Sequence, residues 1–376
     1  MIQRALYTRL KEALIRSNKV ILLYGARQTG KTTLVSRIIK DLTFTSLTVN
    51  ADEIRYHDVL SSRDLNKMKM LADGYELLFI DEAQRIDDIG INLKILHDNL
   101  PDLKIIVSGS SSLELANRTR EPLTGRLESY ALYPVAWLEL LGHHSAFELR
   151  SRLEELMIYG SYPEIFSIPN ARKKQQYLME LSSSYLYKDV LELTNIRHSR
   201  KLADLLRLLA FQIGSQVSLS ELGASLQMSK ETVASYIDLL EKSFILIRLR
   251  GFSRNLRKEI TKMDKFYFSD LGIRNALINN FNSFRMRNDH GQLWENFLVN
   301  ERIKYQSYAG LFSNNFFWRT YTGAKIDWIE ERQGSLYAYE FKYGNKSIRF
   351  PSSWKENYPD SEYKTINLEN YHDFIA

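Results

Sequence analysis

Short runs of consecutive apolar residues punctuate the first part of the chain, KVILLYG at 19–25, ELLFID at 76–81 and LKIIVSG at 103–109, and FTSLTVN at 44–50 and SYALYP at 129–134 supply two more strand-like segments. Runs that are apolar without alternation suit strands buried on both faces. Between them, segments such as TTLVSRIIKDL (32–42) place apolar residues at three- and four-residue steps, the helical period. Strands alternating with helices predict a parallel α/β sheet over residues 1–135. The amphipathic start, MIQRALYTRLKEALIRSNK, reads as the first helix of that domain.

From 136 to 210 the helical spacing continues, as in ARKKQQYLMELSSSYLYKDVLEL, with YGSYPE (159–164) as the one clear break. This predicts a helical lid, with Arg172, Lys173 and Lys174 on a solvated face. Residues 211–274 change the pattern. A helix over 219–227, a turn at Met228-Ser229, a second helix capped by Ser229, and then the runs FILIRLR and KFYFSD predict a helix-turn-helix with a two-stranded wing. Over 275–376, HGQLWENFLVNERI reads as a helix, and KIDWIE and SLYAYEFK as strands joined by a turn at Gln333-Gly334.

The junction after the first strand carries chemistry. Gly25, Ala26, Arg27, Gln28, Thr29, Gly30, Lys31 and Thr32, followed by Thr33, fit G-x-x-x-x-G-K-[ST] between a strand and a helix. In that context the backbone N–H groups curl around phosphates, the helix N-terminus adds partial positive charge, Lys31 reaches the β and γ phosphates, and Thr32 is placed to ligate Mg2+. The expected ligand is ATP. The run ELLFID ends on Asp81 and Glu82, where the first would hold Mg2+ through water and the second would orient or deprotonate the attacking water. Ser110, at the end of the next strand, is the candidate for contact with the γ-phosphate, a turn residue being the alternative. Arg126 is the candidate arginine finger, in cis or across a subunit interface, against a plain surface arginine.

A second constellation lies near the C-terminus. Glu340 and Lys342 are two apart and share a face of their strand, with Asp327 on the neighbouring strand. Two carboxylates and a lysine on adjacent strands suit a metal-dependent phosphodiesterase: Asp327 and Glu340 on Mg2+ or Mn2+, Lys342 positioning or deprotonating the nucleophile, Glu295 completing the metal shell. The alternating Tyr337, Tyr339, Phe341 and Tyr343 predict that the aromatic face is the buried one.

Composition narrows the classes. With 44% hydrophobic and 26% charged residues the chain is an ordinary globular composition, and no apolar run approaches the roughly 18 residues of a membrane span. The absence of cysteine excludes disulfides and thiolate metal sites and suits a reducing, cytoplasmic setting. Seven histidines show no ligand spacing. The net charge of +6 is compatible with nucleic acid, and its distribution sharpens this: residues 248–274 hold eight basic against three acidic side chains. Such a stripe would hold phosphates. The second helix of the pair, with Lys230, Glu231, Asp238, Glu241 and Lys242, is too mixed in charge for reading bases, and a packing role for the whole module is the other reading.

In series, YGARQTGKTTL, LLFIDEAQRI, IIVSGSSSLEL, LTGRLESYALYPVAWLEL, YGSYPE, YLYKDVLEL, KFYFSDLG, GQLWENFLVNERI, KIDWIE and YEFKYG resemble a widespread prokaryotic family of AAA-like P-loop ATPases. The C-terminal part resembles the PD-(D/E)xK restriction-endonuclease fold, although no proline precedes Asp327. The resemblance implies nucleotide-binding roles for Gly30, Lys31, Thr32, Asp81 and Glu82, and nuclease-fold positions at Glu295, Asp327, Glu340 and Lys342. It implies a P-loop core over 1–135, a helical lid over 136–210, a winged helix over 211–274 and a nuclease-like α/β domain over 275–376. Two functions compete: an ATPase whose nucleotide state controls a DNA-engaging half, with metal-dependent DNA cutting as an open variant, or a nucleotide-operated switch that binds a DNA or protein partner without cutting. The oligomeric state stays open.

Overall fold

The computed structural model describes residues 2–110, 122–192, 199–253, 263–320, 323–345 and 349–376. It comprises two compact units, one of residues 1–135 with 242–244, the other of 136–241 with 245–376.

In the first unit, β1 (Val20–Tyr24), β2 (Ser46–Asn50), β3 (Leu77–Asp81), β4 (Lys104–Gly109) and β5 (Leu127–Ala131) form one sheet in the order β2-β3-β4-β1-β5. Every neighbouring pair is parallel. Parallel neighbours need crossovers, and the helices Lys31–Lys40, Leu65–Ala72 and Ile89–Asn99 supply them. Consecutive residues of β1 (Val20 to Leu23) and β3 (Leu77 to Ile80) are buried, so these strands are covered on both faces and their sequences do not alternate. The helix Leu6–Arg16 buries Leu6, Leu10 and Leu14, one residue per turn along a single stripe. Tyr24, Asn50, Asp81 and Gly109 end their strands on one edge of the sheet, the edge where parallel α/β sheets bind ligands.

In the second unit, β6 (Gln216–Val217), β7 (Leu246–Gly251), β8 (Asp264–Phe268), β9 (Asn314–Arg319), β10 (Lys325–Arg332), β11 (Ser335–Phe341) and β12 (Glu362–Ile366) form a seven-stranded sheet in the order β12-β11-β10-β9-β7-β8-β6. The helices Leu219–Leu226 and Lys230–Lys242 precede an antiparallel β7–β8 ribbon, and the Ser229 hydroxyl accepts from the Thr232 N–H at 3.1 Å. The boundary expected at 274/275 is not a break in this sheet. Strand β7 pairs in parallel with β9 through Arg250 and Gly251, and the Phe252 N–H donates to the Phe317 carbonyl at 2.6 Å. Pairing satisfies an edge of β7 that would otherwise be open, and it carries Phe252 into a core with Trp318, Ile326, Ile329 and Trp354. The segment 136–210, read as a separate lid, belongs to the same compact unit.

The break YGSYPE has a structural use. A Cβ at Gly160 (φ 71°) would stand 2.1 Å from the Asp270 carboxylate, which accepts from the Ser161 N–H at 2.7 Å and caps the helix Leu271–Leu277 through Ile273. A Cβ at Gly272 would stand 2.3 Å from the Tyr159 carbonyl. Two glycines therefore let two distant sequence words close on one buried carboxylate.

Three of the four described basic residues of the stripe are taken up in ion pairs. Arg248 meets Asp238 at 3.0 Å and Glu241 at 2.8 Å, Lys265 meets Glu295 at 2.8 Å, and Arg274 is buried against Asp289 at 2.6 Å. These three are corrected from free phosphate ligands to internal partners. Arg250 is exposed, and Arg254, Arg257, Lys258 and Lys262 lie outside the described residues. Asp289 also takes Arg287 at 2.7 Å, and although burial pushes its carboxyl up, the two guanidinium groups outweigh this and bring it down to about 2. A depressed carboxylate stabilises the fold above its unfolded value of 3.8, and that contribution is lost as the pH falls toward 2. Acid unfolding followed by circular dichroism is expected to show this loss in the native chain and a flatter profile across the same window in Asp289→Asn.

Candidate functional site

The loop after β1 is shaped by positions that accept only particular backbones. At Gly25 (φ 148°) a Cβ would meet the Leu132 carbonyl oxygen at 2.2 Å, and Gly30 (φ 91°) turns the chain into the helix Lys31–Lys40. The Thr29 hydroxyl donates to the Ala26 carbonyl at 2.8 Å and closes the loop on itself. Gly25, Ala26, Thr29 and Lys31 are buried, Arg27 and Gly30 half-buried, and Gln28, Thr32 and Thr33 exposed. The Lys31 ammonium donates to the Gly25 and Ala26 carbonyls at 2.9 Å each, so it is held over the loop by the loop's own backbone.

Asp81 receives two hydroxyls. Thr32 Oγ1 donates to Oδ2 at 2.7 Å, and Ser108 donates to Oδ1. Thr32 and Asp81, expected as Mg2+ ligands, therefore stand together at the carboxyl edge of the sheet. Two hard oxygen donors beside a phosphate cradle fit Mg2+, which binds through few protein oxygens plus phosphate and water, and which would supply charge neutralisation on the phosphates. Glu82 follows in left-handed backbone (φ 54°), its carboxylate accepting from Gln84 Nε2.

Two residues of this site were not read from the sequence. Ser108 is a serine that donates to Asp81, while Ser110 is buried just beyond the end of β4. Its signal in the sequence is that Ser108 is the one hydroxyl within the apolar run LKIIVSG. Arg4 donates to the Thr29 carbonyl at 2.6 Å and the Tyr133 carbonyl at 2.5 Å, tying the N-terminal segment to the phosphate loop. No local motif marks it. The cis role for Arg126 does not fit its position. It precedes β5, its carbonyl accepts from the Val20 N–H at the start of β1, and its guanidinium forks onto Asp98 at 2.6 and 3.1 Å. The length of β1, at about 3.3 Å per residue, separates it from the phosphate loop.

The C-terminal residues also come together, but with lysines between them. Lys265, on β8, lies 2.8 Å from Glu295 and 3.7 Å from Asp327. Lys325 lies 2.9 Å from Asp327 and 3.7 Å from Glu340, and Lys342 lies 3.3 Å from Glu340. The Tyr267 hydroxyl donates to Glu295 at 2.6 Å, and the Phe341 N–H donates to Asp327 at 3.1 Å. A register shift between Ile326 and Ile329 in the β9–β10 pairing brackets Asp327 and Trp328, the kind of irregularity that re-aims a side chain. Burial pushes the Asp327 carboxyl up, but Lys265 and Lys325 outweigh it and hold it down. Burial, helped by the Asp327 charge, pushes Glu340 up.

The metal shell of Glu295, Asp327 and Glu340 is therefore corrected: among the described residues no three acidic or histidine side chains gather as a metal site. An ammonium stands in each gap between carboxylates. The prediction about the faces of β11 is corrected as well. Leu336, Ala338 and Glu340 form a buried face, and of the aromatic face Phe341 is buried while Tyr337 and Tyr339 are half-buried.

Residues 17–141 match the model of an AAA domain, and residues 150–283 and 290–370 match two domains of unknown function, DUF8612 and DUF4143. An uncharacterized protein of Mycobacterium tuberculosis is 27% identical over 339 residues, 89% of this chain and 72% of that one. An uncharacterized protein of Methanocaldococcus jannaschii is 23% identical over 375 residues, 94% of this chain and 81% of that one. Among solved structures, the Walker-type ATPase of Pyrococcus abyssi aligns with a TM-score of 0.49 at 15% identity, covering 74% of this chain and 96% of that one. Among the described residues, no helix is long and apolar enough to cross a membrane. With its phosphate loop, its acidic strand end and its match to the AAA domain, the N-terminal part of the chain carries an AAA-like P-loop ATPase fold.

Proposed function

We propose that the protein binds and hydrolyses ATP at the loop 25–33, and that its nucleotide state controls a C-terminal half that engages DNA. The observation that carries this reading is the convergence of Lys31, Thr32, Asp81 and Ser108 at one sheet edge. In the proposed reaction Lys31 exchanges the carbonyls of Gly25 and Ala26 for the β and γ phosphates. Thr32 and Asp81 hold Mg2+, and Glu82 orients the attacking water. An arginine finger, if Arg126 supplies it, acts across a subunit interface.

In the second half, the helix pair and β7–β8 ribbon are read as a winged helix, and β9–β12 with the helix His290–Ala309 as a nuclease-like domain. The lysines between Glu295, Asp327 and Glu340 favour the variant of this reading in which the C-terminal domain binds a DNA or protein partner without cutting. The deciding experiment is a paired assay on purified protein: phosphate release from ATP, and cleavage of linear, circular and single-stranded DNA with Mg2+ or Mn2+, with and without ATP. Phosphate release accelerated by DNA with no cleavage is the expected result. No phosphate release under any condition overturns the ATPase reading, and cleavage lost in Asp327→Ala overturns the non-cutting one.

A further inference from the structure

We propose that Lys325 is a built-in counter-cation for Asp327 and Glu340, and that this one side chain closes the C-terminal carboxylate site to divalent metal. The inference rests on reading those carboxylates as nuclease-fold positions.

The charges alternate in space: Glu295, Lys265, Asp327, Lys325, Glu340, Lys342, with successive separations of 2.8, 3.7, 2.9, 3.7 and 3.3 Å. Three carboxyl groups and three lysines thus alternate one for one. A divalent ion needs carboxylate oxygens at about 2.0–2.6 Å without a competing cation on them, and Lys325 already touches both acids it would use.

The lysines are not equivalent. The Lys265 side chain is 10% exposed, pinned to Glu295, and lies 5.4 Å over the Phe317 ring. It belongs to the packed fold. The Lys325 side chain is 45% exposed and lines a cavity of about 410 Å3 together with Lys265, Glu295, Trp318 and Arg319, so it can leave without disturbing the core. Glu340 Oε2 is buried and accepts no hydrogen bond, leaving one oxygen of the pair ready for a cation that Lys325 does not serve. Without Lys325, Asp327 and Glu340 would share a net negative charge beside that cavity.

The test is Mn2+ binding to the nucleotide-free full chain, followed by the electron paramagnetic resonance signal of free Mn2+. Native protein, Lys325→Met, and Lys325→Met with Asp327→Asn are compared, with Lys325→Gln replacing Met if the first variant melts early. The phosphate-loop site is the same in all and subtracts. Lys325→Met is expected to gain one Mn2+ site at least about tenfold tighter than any on the native chain, and to lose it again with Asp327→Asn. Native protein binding Mn2+ as tightly as the variant overturns the proposal, as does a folded variant that gains no site. Failure here leaves ATP hydrolysis untouched, and a chain that fails to hydrolyse ATP still returns a clear Mn2+ result.

Discussion

Lys31→Ala is expected to lower ATP hydrolysis by about 10²–10³-fold, the scale on which removing one preorganised charge or donor from a transition state acts. The lysine is a compact point charge at the mouth of the helix Lys31–Lys40, where phosphate charge would collect. Without nucleotide its ammonium donates to the Gly25 and Ala26 carbonyls, and the loop itself contains no acidic residue that its loss would orphan. The nucleotide-free variant should therefore melt within a few degrees of the native chain, while the rise in melting temperature on adding ATP with Mg2+ should shrink or vanish. Lys31→Arg is expected to fail as well, because a planar fork does not reproduce the point charge in a loop whose Gly25 tolerates no displacement against Leu132. An unchanged phosphate-release rate from purified Lys31→Ala would end the ATPase reading, because no other described lysine sits in that loop.

That site was legible because its determinants are local. Glycines at 25 and 30, the lysine and the threonine lie within one turn of chain between a strand and a helix, and the acid ends a strand that must pack beside it. What the sequence misplaced depends on strand order and on pairing across long separations. Arg126 follows the strand bearing Ser108 in sequence, yet it enters the sheet at the far edge because β5 runs parallel to β1 and begins beside Val20. Lys265 belongs to the ribbon by sequence and to the carboxylate array by structure, because β7 joins β9 and the ribbon becomes part of the C-terminal sheet. Lys325, two residues before Asp327, shares its strand face, but the register that sets Asp327 beside Glu340 and so puts one ammonium on both carboxylates comes only from the β10–β11 pairing. The alternation Tyr337, Tyr339, Phe341 was read as the core face because aromatic residues bury more area. Leu336 and Ala338 instead pack in one core with Trp318, Trp354 and Ile329, while on the aromatic face Phe341 is buried against Phe374 and the tyrosines stay half-buried.

Arg302→Ala carries the largest expected loss of stability. Arg302, on the helix His290–Ala309, donates to both oxygens of Glu330 at 2.5 and 2.8 Å and to the Phe374 carbonyl at 2.6 Å, with its guanidinium 4.6 Å from the Phe374 ring centre. Glu330 is fully buried and also takes Trp328 and Gln306 at 2.8 and 2.9 Å. Truncating the arginine strands that carboxylate among neutral donors, with Arg332 at 3.3 Å as the remaining cation, and breaking a buried pair from one side costs about 3–5 kcal/mol. For a unit of this size that corresponds to a fall in melting temperature of roughly 10 °C. The double variant Arg302→Met, Glu330→Met should recover most of the loss, because no charge is then left without its partner. Calorimetry on the full chain separates the outcomes: a fall of under about 2 °C in the single variant would mean that Arg332 or water takes over Glu330, and a double variant no more stable than the single would mean that the cost lies in lost packing against Phe374 and not in the stranded charge.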